Sequence, residues 1–373
     1  MLDPLLGAAD RRAVAARRLA SLGISPAAGG GAAAVPDIVR HHLAMQAQDL
    51  ASGLWSVGVR TGAPLSDVEA AIRERRITRS WPMRGTLHLM ATEDVRWMCL
   101  LLNPRVATAT RARFAQLEIT EALLAGGREV VTAALTGGRT LSRPAAIELL
   151  RRHGINPDGQ RGPHLLGRYC QEGLLCQGAP EGRQPTFVLL DEWVPTSWDP
   201  GREEAMAALA ERYVRSHGPV TLRDLAGWAG QTLAFAREAV DLAGDHLATE
   251  RVGGTSHLVH RDAPDPAPRS GVHLLPGFDE YLLGYKDRFA MLTAAQERRV
   301  VPGGNGIFYP TVVAGGQVVG TWGRRTSGPK VEVTVSPFAG LSAARRRAVD
   351  RAATAYGRFL ERPVVVRFRE PGS

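Results

Sequence analysis

Hydrophobic spacing divides the chain into helical stretches, alternating stretches and a β-rich end. A basic helix is expected over Arg11–Leu22, followed by a flexible run over Ala27–Ala34 with three consecutive glycines. Pro36 and Asp37 suit the opening of the next helix, whose apolar positions include Ile38, Val39 and Met45. Ser66-Asp-Val-Glu69 has the layout of a capping box and predicts a helix through Arg75. Ile77–Ser80 reads as a strand, and Pro82 stops it. Gly85–Met90 then alternates Thr86, His88 and Met90 with Leu87 and Leu89, the period-two pattern of a strand with one buried face. That pattern offers Arg84 and His88 at a surface. Thr92 is placed to cap a helix through Leu102.

A second unit is expected from a short helix over Glu129–Leu135, a helix over Arg143–His153 capped by Ser142, and a third helix over Pro163–Gly173. Leu174–Gln177 and Thr186–Leu190 are strand-like and flank a Gly/Pro turn. Three helices and a hairpin are the layout of a winged helix-turn-helix. A third copy follows, with helices over Arg202–Ser216, Leu222–Ala229 and Leu233–Leu242, then strands near His246–Val252 and Ser256–His260. Copy spacing is irregular, which marks architectural repetition and not a solenoid. Asp262–Ser270, with three prolines, reads as a linker. Beyond it, Phe308–Val313 and Gln317–Trp322 form a hairpin pattern around Gly315-Gly316, with Arg324 and Arg325 just past it. Val331–Val335 reads as a strand, Leu341–Leu360 as a helix and Val364–Phe368 as a closing strand.

The expected class is α+β, with three tandem winged helix-turn-helix units and a β-rich C-terminal part in one C-shaped body. The units divide at residues 1–125 (N-terminal helices and first winged helix), 126–195, 196–262 and 263–373. A chain of 373 residues with 44% hydrophobic content has material for several cores. The net charge of +9 points to a polyanionic partner. Of the 46 basic residues all but Lys286 and Lys330 are arginine, a skew that base composition can produce, so only the net sign is used. Cys99, Cys170 and Cys176 give no even framework and no Cys-x-x-Cys pair, which fits a reducing cytosol. No apolar run approaches the roughly 20 residues of a membrane span, and Met1–Asp10 lacks a signal-peptide layout, so a soluble cytoplasmic protein is expected.

Chemistry concentrates in three segments: Gln46-Ala-Gln48, Arg79–Met90 and Pro276–Arg288. Residues at i and i+2 lie about 200° apart on an α-helix but share a face in extended chain. If Gln46 and Gln48 serve one site, the helix before them must therefore end or distort near Met45. On local pattern alone, one glutamine could be exposed and the other cap a turn. Taken together, Gln-x-Gln, Ser80-Trp-Pro-Met-Arg-Gly-Thr-Leu-His88 and Pro276-Gly-Phe-Asp-Glu-Tyr-Leu-Leu-Gly-Tyr-Lys-Asp-Arg288 resemble the winged-helix DNA glycosylase family of the AlkZ and YcaQ types. The resemblance runs in the same order from about Arg11 to Phe368. It implies that Gln46 and Gln48 are the catalytic motif. YcaQ-type members carry Gln-x-Asp there and AlkZ-type members Gln-x-Gln; Asp49 follows directly and could contribute. Arg79, Arg84, His88, Lys286, Arg288, Asn305, Arg324 and Arg325 are the expected DNA contacts. Asp279 and Glu280 read either as acid-base residues or, preferably, as structural groups that pair with Lys286 or Arg288 or cap a turn.

The reaction the resemblance implies is monofunctional hydrolysis of the N-glycosidic bond of N7-alkylguanine in duplex DNA. An N7-alkylated guanine is cationic and departs neutral without a general acid. Oriented amide dipoles can then stabilise charge on the sugar and hold a water. Similar proteins with Gln-x-Gln protect producers of DNA-alkylating natural products, so bulky adducts of that kind are the expected substrates. No cofactor and no metal are expected. His257-x-x-His260 lacks partners, and adjacent His41 and His42 cannot chelate side by side on a helix. Gly303-Gly-Asn-Gly306 lacks the Lys-Ser/Thr of a phosphate loop, and there is no Gly-x-Ser-x-Gly elbow. The alternative is a non-enzymatic winged-helix regulator. Regulators of this kind dimerise on half-sites, whereas this chain has three units and no heptad segment, which argues against that reading; a monomer is expected.

Overall fold

The structure is a computed structural model and describes residues 7–24, 29–182, 184–194, 198–263, 271–304 and 306–370. It is a mixed α+β fold. Helix α1 (Ala8–Ser21) buries Val14, Ala15, Leu19 and, unexpectedly, Arg18. The Arg18 guanidinium donates to the Pro219 and Asp287 carbonyls at 3.1 and 2.9 Å and lies 3.9 Å from the Tyr285 ring, so the N-terminal helix is tied to the later units. Gly31–Ala33 forms a short 3-10 turn, while residues 27 and 28 of the expected flexible run lie outside the described residues. Helix α2 (Ala34–His42) stops at Leu43, where φ is +62°, and the chain enters the short strand β1 (Met45–Gln46). The helix thus ends just before Met45, as service of both glutamines at one site requires.

Helix α3 (Leu50–Thr61) has no counterpart in the sequence reading. Helix α4 (Leu65–Arg73) begins one residue before Ser66, with Pro64 at its N-cap, so the capping box is not formed. Strands β2 (Ile77–Met83) and β3 (Thr86–Ala91) make a hairpin whose two-residue turn, Arg84-Gly85, has φ of +56° and +69° at its centre, the pattern of a type I′ turn. Pro82 does not stop β2; it sits where the register shifts between Ser80 and Met83, an irregularity that accommodates a residue without an N–H. Thr92 opens a 3-10 turn and makes no side-chain cap, and helix α5 (Val95–Ala109) continues past Leu102 through Pro104.

Helices α6 (Arg111–Gln116) and α7 (Glu121–Leu135) follow, the second starting eight residues before the expected point because Thr120 caps it. The short strand β4 (Leu141–Ser142) leads into α8 (Arg143–Arg152), capped by Ser142 as expected. Then come α9 (Arg161–Gln171), β5 (Leu175–Gln177), β6 (Thr186–Leu189) and α10 (Leu190–Trp193). The third succession matches the spacing closely: α11 (Arg202–His217), α12 (Leu222–Ala229), α13 (Leu233–Ala243), β7 (Leu247–Val252) and β8 (Thr255–His260). Most of the expected linker, residues 264–270, lies outside the described residues. Strand β9 (Val272–Leu275), α14 (Glu280–Leu283) and α15 (Ala294–Val300) precede the hairpin of β10 (Thr311–Ala314) and β11 (Gln317–Ser327). β11 runs far enough to include Arg324 and Arg325, which are strand residues and not residues beyond the hairpin. β12 (Lys330–Pro337), α16 (Ala343–Phe359) and β13 (Val364–Phe368) complete the chain.

Two larger sheets result. One has the order β1-β3-β2-β5-β6-β4, so strands from the first and second successions share a sheet through Arg79 opposite Gln177. The other has the order β13-β12-β11-β10-β9, with only the β12–β13 pair parallel. Met45 and Ala47 are fully buried in a core with Trp55, Leu89, Leu274 and Trp322, which joins the Gln-x-Gln segment to the C-terminal sheet. Among the described residues no helix is long and apolar enough to cross a membrane.

Candidate active site

The alternation of the extended segment builds the site. Met45 and Ala47 point into the core, so Gln46 and Gln48 share the opposite face. β1 pairs with β3 antiparallel, placing Gln46 opposite His88, and the Ala47 N–H donates to the Leu87 carbonyl at 2.8 Å. Both side-chain carbonyls are then anchored. Gln46 Oε1 accepts the Gln48 backbone N–H at 3.0 Å, and Gln48 Oε1 accepts the Leu87 N–H at 3.1 Å. A backbone N–H requires an oxygen as its partner, so these bonds set which way each amide faces. Each oxygen keeps a second lone pair, and neither Nε2 has a partner among the described residues.

Both glutamines line one end of an open cleft of about 880 Å³. Its walls are Trp228 from α12, Phe278 and Tyr285 from the segment around α14, and Phe308 before β10. Arg84, Lys286, Arg288 and Arg298 make it cationic, with Glu297 offsetting Arg288 at 3.0 Å. α12 is shaped for this. A Cβ on Gly227 would overlap the Lys286 methylenes, and one on Gly230 would come within 2.9 Å of Arg84 Cγ. Phe278, like Arg84 and Leu43, holds a left-handed φ without being glycine, a cost of order 1–3 kcal/mol each that the surrounding packing sustains.

Arg84 reaches over the hairpin to His88, with 3.1 Å between its Nη2 and His88 Nε2. His88 Nδ1 lies 3.0 Å from the Thr86 carbonyl, so Nδ1 carries the proton and Nε2 accepts. Burial first, and then the Arg84 charge, push the His88 pKa well below the ordinary imidazole value, and the Thr86 bond only partly opposes this. Burial likewise lowers the Arg84 pKa, against the opposing influence of Glu280. Asp279 sits in a buried pair with Arg60, at 2.8 and 2.9 Å, and also accepts from Ser56 and from the Tyr281 N–H. Burial alone would raise its carboxyl; the Arg60 guanidinium outweighs that and holds it below the usual carboxylate range.

The model of the family described as DNA glycosylase AlkZ-like matches residues 39–359. The chain belongs to this family. A curated relative, the interstrand DNA cross-link repair glycosylase of Streptomyces sahachiroi, is 26% identical over 342 residues, covering 85% of this chain and 88% of that protein. The solved structure of Streptomyces sahachiroi DNA glycosylase AlkZ superposes with a TM-score of 0.80 at 23% identity, over 96% of this chain and 99% of that one. The protein is therefore a DNA glycosylase of DNA repair, and the reading as a non-enzymatic regulator falls away.

In this AlkZ-like glycosylase the eight cationic and polar residues expected at DNA divide into distinct environments. Lys286 and Arg288 line the cleft; Arg288 also donates to the Leu282 carbonyl at 2.6 Å, while the exposed Lys286 ammonium has no ion pair among the described residues. Arg84 lines the cleft but is half-buried, and His88 is fully buried, so the surface expected for the pair holds for neither in full. The hairpin turn folds Arg84 back over His88, which the alternation pattern does not reveal. Arg79 is a brace: it donates to the Ala47 carbonyl at 2.9 Å, to the Gln48 carbonyl at 3.2 Å and to Gln177 Oε1 at 3.1 Å. Burial, aided by Arg143, pulls its pKa down to about 10. Arg324 donates to the Tyr356 hydroxyl at 2.9 Å and lies 3.8 Å from Asp49. Arg325 is exposed on β11 opposite Glu332. Asn305 lies outside the described residues.

Asp49 lines a second concavity of about 390 Å³ with Gln48, Arg79 and Gln177, and accepts from Ser52 at 2.6 Å. Asp279 caps the turn into α14, as one of the expected structural roles has it, but pairs with Arg60, and Glu280 meets neither Lys286 nor Arg288. Trp228, Phe278, Tyr285, Phe308 and Arg298 also line the cleft but carry no local signal of a site, because tertiary structure sets their convergence. Phe278 and Tyr285 did fall within the Pro276–Arg288 motif.

His260 also gains partners that its spacing did not suggest. His260, His246 and the Glu211 carboxylate each offer a ligand atom, all within 4.8 Å of one another. The Asp262 N–H donates to His260 Nδ1 at 3.1 Å, which puts the proton on Nε2, the atom facing Glu211 at 3.5 Å. A protonated nitrogen does not ligate, so this grouping fits a polar contact better than a metal site. None of the three residues lines the cleft.

Proposed function

We propose that this glycosylase hydrolyses the C1′–N9 bond of N7-alkylated guanine in duplex DNA, with bulky natural-product adducts as its substrates and self-resistance as its role. The observation that carries the reading is the anchored amide pair, Gln46 and Gln48, at one end of a cationic, aromatic-lined cleft. The alkylated base carries its positive charge before the reaction begins. When C1′–N9 breaks, the bonding electrons return to the ring and the base leaves neutral, so no acid is needed. Positive charge then grows on the sugar. The free lone pairs of the two amide oxygens stabilise it and orient a water, which adds to C1′ and releases a proton. An opening of 880 Å³ lies in the range of drug-sized ligand sites, on the order of 300–1,000 Å³, and exceeds what a methylated purine needs.

The successions α2–β3, α7–β6 and α11–β8 are read as three winged helix-turn-helix units arranged as one C-shaped, monomeric body around the duplex. Lys286 and Arg298 supply phosphate contacts at the cleft, and Arg325 supplies one from β11. Excision is assayed on matched duplexes carrying N7-methylguanine, a nitrogen-mustard N7 adduct, uracil or 1,N6-ethenoadenine. Release of the first two, with an intact abasic product and no borohydride-trapped enzyme adduct, is the expected result. Efficient uracil release would demand a stronger catalytic apparatus than two amides and would overturn the mechanism. A trapped Lys286 adduct would overturn monofunctional hydrolysis.

A further inference from the structure

Glu280 is 1% exposed, yet it faces the back of the cleft. Its Oε1 accepts the Gln46 backbone N–H at 3.2 Å. Its Oε2 accepts the Trp228 indole N–H at 3.0 Å, with His217 Nε2 3.4 Å away. A backbone amide and an indole only donate, so both oxygens act as acceptors, a pair of bonds that a carboxyl group satisfies at both ends and an amide at only one. Gln46 and Trp228 both line the cleft, so the acidic group sits directly behind two of its wall residues. The Arg84 guanidinium at the cleft is also within its electrostatic reach.

Local structure does not require this residue. The turn into α14 is capped by Asp279, whose side chain accepts the Tyr281 N–H. Asp279 also takes the buried Arg60, leaving Glu280 without an arginine or lysine in direct contact among the described residues. Burying a carboxylate without such a partner is costly. What the burial achieves is a fixed orientation of the Gln46 main chain and of the Trp228 ring.

We propose that Glu280 is a positioning residue for base excision. It holds Gln46 and Trp228 in register with each other and contributes a preorganised field that favours the cationic sugar. The inference rests on the reading of Gln46 and Gln48 as the excision site.

The test compares Glu280→Gln, Glu280→Asp and the double substitution Gln46→Ala/Gln48→Ala. Each is measured for single-turnover excision, affinity for undamaged duplex and thermal stability, on whichever of the N7-methylguanine or nitrogen-mustard duplexes the wild-type protein excises. Glu280→Gln keeps size, loses charge and turns one NH2 toward a donor-only partner; Glu280→Asp keeps charge and withdraws it by one methylene. A field effect predicts a loss of roughly 30- to 100-fold for Gln and a smaller loss, roughly 3- to 10-fold, for Asp, with duplex affinity unchanged. A merely structural role predicts instead that Gln, whose NH2 must face one of two donor-only partners, loses rate only as far as it loses stability, and that Glu280→Gln/Trp228→Phe, which removes one of those donors, recovers the rate of Trp228→Phe alone; such recovery overturns the proposal. Glu280→Gln at least as active as Glu280→Asp overturns the proposal. If the Gln variant does not fold, wild-type rate in Glu280→Asp overturns it. Full activity in the double glutamine variant, or no excision by the wild type, removes the underlying site instead.

Discussion

Gln46 and Gln48 are joined through the side chain of the first and the main chain of the second, with Gln46 Oε1 accepting the Gln48 N–H at 3.0 Å. Because Gln48 Oε1 in turn accepts from Leu87, neither amide is free to rotate without leaving a backbone donor unsatisfied. The pair behaves as one preorganised unit on a strand whose alternate residues are locked in the core.

Removing either amide should cost excision rate more than binding. Gln46→Ala and Gln48→Ala are each expected to lose roughly tenfold to a thousandfold in single-turnover rate, the range for one water-positioning or oriented-dipole group. Asp49→Asn should stay near wild type, since Asp49 does not line the cleft and its carboxylate is taken up by Ser52 and Arg324. A larger loss for Asp49→Asn than for either glutamine would move the chemistry to the carboxylate. Circular dichroism and duplex affinity, measured alongside, separate a catalytic loss from misfolding.

Arg79 should act on the site through structure. Its guanidinium holds the carbonyls of Ala47 and Gln48 and the side chain of Gln177, bridging the two halves of the first sheet. Arg79→Ala strands those acceptors and should destabilise the fold by about 1–3 kcal/mol, with a lower excision rate and an unchanged salt dependence of DNA binding. A salt slope that falls by one phosphate, with wild-type stability, would show that Arg79 contacts DNA after all.

How much of this was legible depended on whether the signal was local. The third succession is legible almost to the residue because its helices carry clear apolar stripes; the structure adds that Thr221 and Thr232 cap two of them. α3 is not legible: Gly53 and Gly58 depress its helix propensity, and only the fold shows that a Cβ on Gly53 would strike Ala47. Pro82 reads as a stop because a register shift cannot be seen in one strand alone. At the site, the need for extended chain at Gln46–Gln48 followed from geometry, whereas Glu280 meeting Gln46 spans 234 positions and has no local trace.

Stability should fall on mild acidification. Burial, and then the nearby Arg60 and Arg84 charges, hold the pKa values of His42 and His88 well below the ordinary value of 6.5. Below about pH 6.5 the unfolded chain takes up protons on these residues that the folded chain does not, so folding is penalised as pH falls. Their contribution is complete above 6.5 and drains away beneath it, by up to about 1.4 kcal/mol per pH unit for each histidine. Urea midpoints at pH 7.5 and 5.5 test this, and His88→Gln should flatten the slope by one proton. A midpoint that rises on acidification would show the imidazoles to be charged in the fold.

Binding to undamaged duplex should sort the arginines and the lysine by what already occupies them. Arg79 and Arg324 spend their guanidiniums on protein partners, and Arg84 is folded over His88. Lys286 and Arg298 stand at the cleft, and Arg325 is exposed on β11. Each phosphate contact contributes about 0.9 to the slope of log affinity against log salt on B-form DNA. Lys286→Ala, Arg298→Ala and Arg325→Ala should therefore each lower the slope by roughly that amount and weaken binding uniformly across sequences. Arg324→Ala should leave the slope unchanged, because its loss releases Tyr356 and Asp49 and no phosphate. Fluorescence anisotropy across a salt series reads both quantities. If Arg324→Ala lowers the slope and the three exposed-site variants do not, the duplex lies along the concavity that holds Asp49, and the cleft at Gln46 is not where the backbone is gripped.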